Sequence, residues 1–154
     1  MGWTAAILFR RPNIESADRA IERIRAVKMG TLVPAGRDAP LKLAEALQNG
    51  QHVAMLVDQY LANGVEVTFF GRKTKANPTL ARLLRQVECP IHGVRIIRLP
   101  NHRFRAELSE EVKPVRDASG QIDIQGTMQA VTDVIEGWVR EYPDQWLWLH
   151  RRWR

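Results

Sequence analysis

The sequence predicts an α/β fold, in which a mostly parallel sheet is flanked by helices and an antiparallel hairpin is added. Short apolar runs of strand length alternate with segments whose apolar residues recur at helical spacing. The chain has 154 residues, which is enough for a single domain over residues 1–154 with a substantial core. Its hydrophobic content of 45% and charged content of 26% are typical of folded proteins.

Two strands and two helices are predicted in the first part of the chain. They are the strand 5–9, the helix 15–27, a helix from Asp38 to Gly50 and the strand 52–57. Asn13 is a suitable cap for the first helix, and Pro40 favours the first turn of the second. Gly50 is the type of residue that ends a helix. The apolar runs at 5–9 and 52–57 predict buried strands.

The second part alternates in the same way. Its predicted elements are a loop 58–64, a strand 65–70, a basic turn 71–75, a helix from Asn77 to Pro90, strands 91–99 and 103–108, and a long helix that ends at Pro143. Phe104, Ala106 and Leu108 alternate with charged residues. This alternation predicts a hairpin that packs its apolar face inward and leaves its charged face in water.

Composition narrows the range of functions. No apolar run is long enough to cross a bilayer, and no Cys/His spacing indicates a metal site. The single cysteine, Cys89, fits a reducing compartment that faces the cytosol. The net charge of +6 arises from 18 Arg and 5 Lys against 17 acidic residues. Arginine forms two parallel hydrogen bonds with a phosphate, so the excess of arginine favours an anionic partner. Alternatively, the excess reflects a GC-rich genome, which encodes basic residues mainly as Arg.

Ligands of open α/β sheets bind at the carboxyl ends of the strands. Arg11 follows the first predicted strand, and Asp58 and Gln59 follow the second. We therefore expect these residues at a site-bearing edge. The alternatives are a solvated arginine at a strand end and an ordinary turn at Asp58.

Four sequence blocks carry a resemblance to a known family. They are Phe9-Arg-Arg-Pro-Asn13; Ala46 to Gly50 followed by Val53 to Gln59; Val65 to Gly71 with the downstream Leu80-Ala-Arg82 and Cys89-Pro90; and Tyr142 to Trp153. In this order they resemble the late acyltransferases of bacterial lipid A synthesis, the lauroyl/myristoyl transferase family. The resemblance covers essentially the whole chain and implies a glycerolipid-acyltransferase-like fold.

The resemblance implies an enzyme of lipopolysaccharide biosynthesis. Such an enzyme transfers a fatty acyl group from acyl carrier protein to a hydroxyl of a lipid A precursor. It works at the cytoplasmic face of the inner membrane, which this chain would meet peripherally, and needs no cofactor. In this family a His-x4-Asp/Glu dyad moves the proton. It lies before the block that starts at Phe9, together with a membrane anchor. We therefore expect both to be absent from this chain, which would be truncated and inactive alone.

One literal match to the dyad occurs, at His102 and Glu107. Residues five apart on a strand point to opposite faces, so the two side chains are not expected to form a dyad. We therefore predict no catalytic residue in this chain.

We predict a set of substrate-binding residues, in which cations would contact phosphate or an acidic carrier. They are Arg11, Asp58, Gln59, Arg72, Lys73, Arg151 and Arg152. Alternatively, Arg72 and Lys73 belong to a solvated face. Tryptophan beside arginine in the tail suits a membrane interface, but Trp146 could equally seal the core.

A rival interpretation is a non-enzymatic basic module that binds nucleic acid or anionic lipid. The aromatic residues do not line a stripe of cations, and no recognised nucleic-acid motif is present. We therefore expect acyl carrier protein, a lipid A precursor and the inner-membrane surface as partners, and no nucleic acid.

Overall fold

A computed structural model describes residues 5–11 and 30–153. The chain divides into two compact units, Met1–Leu56 and Val57–Arg154. The helix predicted over residues 15–27 lies outside the described residues.

The first unit contains a three-stranded parallel sheet. Its elements are β1 (Ala5–Phe9), β2 (Thr31–Pro34), α1 (Ala39–Gln48) and β3 (His52–Ala54). The strand order is β2-β1-β3, so β1 occupies the centre. Phe9 and Val33 are buried, and Leu43 and Ala44 of α1 are buried too. The strand predicted at 5–9 is thereby confirmed.

Local signals place α1 correctly. Pro40 lies in its first turn, where a missing backbone N–H costs nothing. Gly50 follows the helix with a φ of 71°, which glycine adopts without a steric penalty. The strand predicted at 52–57 is confirmed only over His52–Ala54, and the prediction that it is buried is wrong, because His52 and Ala54 are exposed. Hydrophobic runs of this length do not reveal where pairing stops.

The second unit contains two antiparallel hairpins and two helices. Its elements are β4 (Tyr60–Phe69), β5 (Arg72–Ala76), α2 (Thr79–Gln86), β6 (His92–Leu99), β7 (Arg103–Glu111), α3 (Ile124–Glu141) and a short 3-10 helix (Pro143–Gln145). The loop predicted at 58–64 is wrong, because β4 begins at Tyr60 and bulges before Val65. The basic turn predicted at 71–75 is also wrong. It is strand β5, whose Thr74 and Ala76 point into the core.

The α/β class is confirmed, but the prediction of a mostly parallel sheet needs correction. Among the described residues three strands are parallel, and the other four form the hairpins β4–β5 and β6–β7 in separate sheets. Segments joined by short turns pair with their sequence neighbour, which makes them antiparallel.

The core of the second unit lies between the β4–β5 hairpin and α3. Phe69 and Met128 are completely buried there. Asp123 begins α3, and its carboxylate accepts hydrogen bonds from the backbone N–H groups of Gln125 and Gly126 at 3.2 and 2.9 Å. The core thus fixes the ends of β4 and β5 against one long helix.

The hairpin β6–β7 has the opposite orientation to the one predicted. Ile97 is its buried residue, whereas Phe104 and Leu108 are exposed. Arg95 lies on the inner face, where its guanidinium stands over the rings of Trp138 and Tyr142 at 5.7 and 5.4 Å. Aromatic and ionic partners on α3 therefore decide which face turns inward.

Within the described part of the chain, no helix combines the length and apolar character that crossing a membrane requires.

Candidate functional site

A cavity of about 280 Å³ opens in the first unit, where β2 ends and α1 begins. The residues that line it are Arg11, Pro34, Ala35, Gly36, Arg37, Asp38, Ala39 and Lys42. Three of them are cations and one is a carboxylate. Parallel sheets place ligand sites at this edge, and the position of Arg11 agrees with the sequence-based expectation that it lies there.

The surroundings of the cavity favour an anion. The backbone N–H of Ala35 donates to the carbonyl of Phe9 at 2.7 Å, which joins the ends of β1 and β2. The side chain of Asp38 does not cap α1. The positive end of the α1 dipole thus faces the cavity together with Arg11, Arg37 and Lys42. These groups are suited to hold a phosphate or a carboxylate.

A second cluster lies in the second unit and involves Asp58. This residue is half-buried, and its Oδ1 is fully buried with no hydrogen-bond partner among the residues that the structure describes. Gln59, its neighbour, is exposed. The charge of Asp58 acts on Arg152. The structure therefore brings together two predicted site residues from distant blocks.

Arg152 is only 2% exposed. Its guanidinium lies over the ring of Phe69 at 5.4 Å, and its Nη1 donates to the carbonyl of Lys75 at 3.1 Å. Its own carbonyl accepts a hydrogen bond from the Thr74 hydroxyl. Burial lowers the pKa of Arg152, and the negative charge of Asp58 opposes that effect. Arg152 thus fastens the tail to β5 and is not open to a substrate.

His150 is also held by the second unit. Its Nε2 accepts a hydrogen bond from the backbone N–H of Tyr60 at 2.9 Å. This acceptor role places the ring proton on Nδ1. The nitrogen that could act as a base is thereby occupied with a structural bond.

The aromatic side chains of the tail close the core. The rings of Trp153 and Phe69 stack at 5.6 Å, and Trp153 Nε1 donates to the Phe69 carbonyl at 3.1 Å. Trp146 packs 6.0 Å from the same ring. Arg72 stands over Trp153 at 5.3 Å, so this predicted site residue contacts the tail.

Lys73 and Arg151 do not join this cluster. Lys73 pairs with Glu66 at 3.0 Å on the surface, and Arg151 is exposed. Of the predicted residues in the second unit, the structure therefore brings Asp58 and Arg72 to the tail, beside Arg152 and Trp153.

Phe70 and Glu136 form a contact that the sequence did not indicate. Phe70 adopts a φ of 52° in the turn between β4 and β5, an unfavourable conformation for a bulky residue. The carboxylate of Glu136 accepts a hydrogen bond from the backbone N–H of Phe70 at 2.6 Å, and the guanidinium of Arg140 lies over the Phe70 ring at 4.5 Å. Burial by itself raises the pKa of Glu136, but the Phe70 N–H and Arg140 outweigh it and lower the pKa overall.

The literal dyad at His102 and Glu107 is not assembled. His102 has a φ of 56° in the hairpin turn, and Glu107 forms salt bridges with Arg95 and Arg105 at 2.6 and 2.7 Å. Burial raises the pKa of the Cys89 thiol, which keeps it protonated at neutral pH. Over residues 5–11 and 30–153 no group of His, Cys, Asp and Glu is arranged to hold a metal ion.

Two comparisons with known proteins bear on this geometry. A search of curated proteins found no match. A family model described as bacterial lipid A biosynthesis acyltransferase matches residues 2–154, which is nearly the whole chain. The chain therefore belongs to the bacterial lipid A biosynthesis acyltransferase family.

Proposed function

We propose that this chain is the substrate-binding part of an enzyme that transfers a fatty acyl group, lauroyl or a similar chain, from acyl carrier protein to a hydroxyl of a lipid A precursor. Membership of the family supports the transferase activity. The observation that carries the proposal further is the cationic cavity at Arg11, Arg37 and Lys42, where a phosphorylated acceptor would bind.

The acceptor is held by charge in this proposal. A phosphate offers several oxygen atoms, and each arginine can donate two parallel hydrogen bonds to them. Lys42 adds a point charge, and the first turn of α1 adds the helix dipole. The carboxylate of Asp38 at the same rim would accept a hydrogen bond from a sugar hydroxyl of the acceptor.

The donor and the location are part of the same proposal. The net charge of +6 favours an acidic carrier protein, and the acceptor lies in a membrane. We place the chain at the cytoplasmic face of the inner membrane, with a fold related to the glycerolipid acyltransferases and with no cofactor.

The proton transfer is not assigned to this chain. Of the histidines in the sequence, only His102 is followed five positions later by a carboxylate. That carboxylate, Glu107, forms salt bridges with two arginines. His92 makes a 3.1 Å contact through Nδ1 with the carbonyl of Ser109, and His150 accepts from Tyr60. We therefore propose that the chain binds the acceptor but transfers no acyl group by itself.

Binding of a phosphorylated lipid A precursor tests the cavity. The Arg11→Gln variant should bind the precursor about tenfold more weakly than the unsubstituted chain, since one charge-assisted contact is lost. Arg82→Gln is the matched control, because Arg82 is an exposed arginine on α2. Equal affinities of the two variants would contradict the assignment of the acceptor site to this cavity.

Acyl transfer tests the second part of the proposal. The purified chain is incubated with acyl carrier protein that bears a labelled lauroyl group and with the precursor. We expect no labelled lipid product. We expect product when the chain is fused behind a family segment that carries His-x4-Asp/Glu. Product from the chain alone would contradict the proposed inactivity, and none from the fusion would contradict the transferase assignment.

A further inference from the structure

We propose that the outward face of the β6–β7 hairpin is the surface with which this chain docks on an anionic lipid bilayer. The inference deepens the proposed function and rests on it, because the acceptor of the acyl group is a lipid. It names the part of the molecule that approaches the lipid surface.

The face is a continuous apolar surface in the registered strands. Val94 lies opposite Leu108, and Ile96 lies opposite Ala106, with Phe104 next on the same face. The exposed fractions of Val94, Ile96, Phe104 and Leu108 are 62%, 58%, 63% and 69%. Soluble proteins rarely expose apolar side chains in such a contiguous set. A contiguous apolar surface that is exposed is typical of an interaction site.

The inner face of the hairpin fixes this orientation. Arg95 forms salt bridges with Glu107 and Glu141, both at 2.6 Å. A Cβ atom at Gly93 would lie 2.5 Å from the ring of Trp138, so the strand approaches α3 more closely than a larger residue would allow. Rotating the apolar face inward would turn Arg95 outward and separate it from Glu141 and from the ring of Trp138.

The charge along the hairpin is polarised, and this selects the partner. Residues 98–106, which include the turn, contain Arg98, Arg103 and Arg105 and no acidic residue. Residues 107–111 contain three glutamates. An anionic head-group layer attracts the turn and repels the opposite end. The apolar face would thus enter the bilayer surface obliquely, with its turn end deepest.

The tail adds a second apolar segment beside the turn. Gln145 holds the backbone of Arg98 through two hydrogen bonds of 2.8 and 3.3 Å. Leu147, Trp148 and Leu149 come after Trp146 and are exposed. Tryptophan and arginine together are typical of the head-group layer, where the ring stays at the interface and arginine reaches phosphate.

The test measures partition of the full chain into vesicles of phosphatidylcholine with and without phosphatidylglycerol. Phe104→Ser/Leu108→Ser should weaken binding to the anionic vesicles about tenfold, because two apolar side chains no longer enter the lipid. The control is Leu41→Ser/Leu56→Ser, since Leu41 and Leu56 are 63% and 78% exposed in the other unit. We expect it to bind like the unsubstituted chain.

A second variant tests whether the arginines of the hairpin contribute to docking. Arg98→Gln/Arg103→Gln should lose about tenfold in affinity for vesicles that contain phosphatidylglycerol. Its weak binding to pure phosphatidylcholine should not change. Circular dichroism and the melting temperature of each variant confirm that these surface substitutions leave the fold intact.

Two results would overturn the docking proposal. One is an equal loss of vesicle binding in the hairpin and control variants. The other is a dimer that the hairpin substitutions dissociate while vesicle binding stays unchanged, which would assign the face to a second copy of the chain. Vesicle binding requires no acyl transfer, so a failure here is distinguishable from a failure of the proposed function.

Discussion

Arg11 and Arg152 both lie in the sequence blocks that carry the family resemblance, and the chain places them in contrasting surroundings. Arg11 lines an open cavity with two other cations and the positive end of a helix. Arg152 is buried against Phe69 and hydrogen-bonded to the backbone of β5. Residue type predicted the same substrate-binding role for both.

Burial separates the roles of the two arginines. A buried guanidinium has lost its water and must be compensated inside the protein, here by Asp58 and by the carbonyl of Lys75. Arg11 is exposed at a cavity rim, where a phosphate could reach it from solvent. Substitutions at the two regions should therefore affect stability and binding separately.

The largest expected effect is on stability, at the buried region. Arg152→Met should lower the free energy of unfolding by roughly 3 kcal/mol, because the buried oxygen of Asp58 loses its compensating charge. Arg151→Met is the control and should change it by less than about 0.5 kcal/mol, because Arg151 is exposed. Urea unfolding monitored by tryptophan fluorescence measures both.

A double variant sharpens this prediction. Asp58→Asn/Arg152→Met removes both charges and should recover part of the lost stability. No recovery would mean that Arg152 acts through its packing on Phe69 and not through Asp58.

The next effect is pH-dependent and concerns the turn at Phe70. Glu136→Gln should destabilise the chain by about 1.5 kcal/mol at neutral pH, because hydrogen bonds to a charged acceptor are weakened. The folded-state pKa of Glu136 lies below its ordinary value of 4.5. Its contribution is thus present above that value and is lost as the pH falls through the lowered pKa.

Unfolding curves over a pH series check this dependence. The difference in the free energy of unfolding between the unsubstituted chain and Glu136→Gln should become smaller below pH 4.5. A difference that is constant across the series would assign the effect to packing and not to charge.

Substitutions at the cavity should change ligand binding and leave the stability of the fold unchanged. Arg37→Gln/Lys42→Gln should weaken binding of a phosphorylated lipid A precursor about tenfold and should change stability by less than about 0.5 kcal/mol. Isothermal titration and thermal melting of the same samples measure the two quantities. A large loss of stability would remove the contrast between the regions.

The smallest effect is expected at Lys73, whose surface pair with Glu66 is exposed on both sides. Lys73→Ala should lower the free energy of unfolding by less than about 0.5 kcal/mol, and added salt should abolish this difference from the unsubstituted chain. A larger, salt-resistant cost would place Lys73 in a structural network.

Local signals predicted the parts of this fold that depend on neighbours in sequence. Pro40 and Gly50 delimit α1, and the apolar run at residues 5–9 forms the central strand of the parallel sheet. Strand β5 was missed because its exposed cations obscured the inward alternation of Thr74 and Ala76.

The sites required tertiary information. The contact between Tyr60 and His150 joins residues 90 positions apart, and no spacing rule anticipates it. The inward turn of Arg95 depends on aromatic and acidic partners on α3. Alternation predicted that the hairpin has two different faces, but only those partners decide which face is buried.

We propose that the cavity at Arg11, Arg37 and Lys42 holds the phosphate of the acceptor. The decisive measurement compares the affinities of the chain for a phosphorylated lipid A precursor and for the same lipid after phosphatase treatment. We predict that the phosphorylated lipid binds at least about tenfold more tightly and that Arg37→Gln/Lys42→Gln removes the preference. Equal affinities for the two lipids, or a preference that survives in the variant, would contradict the account.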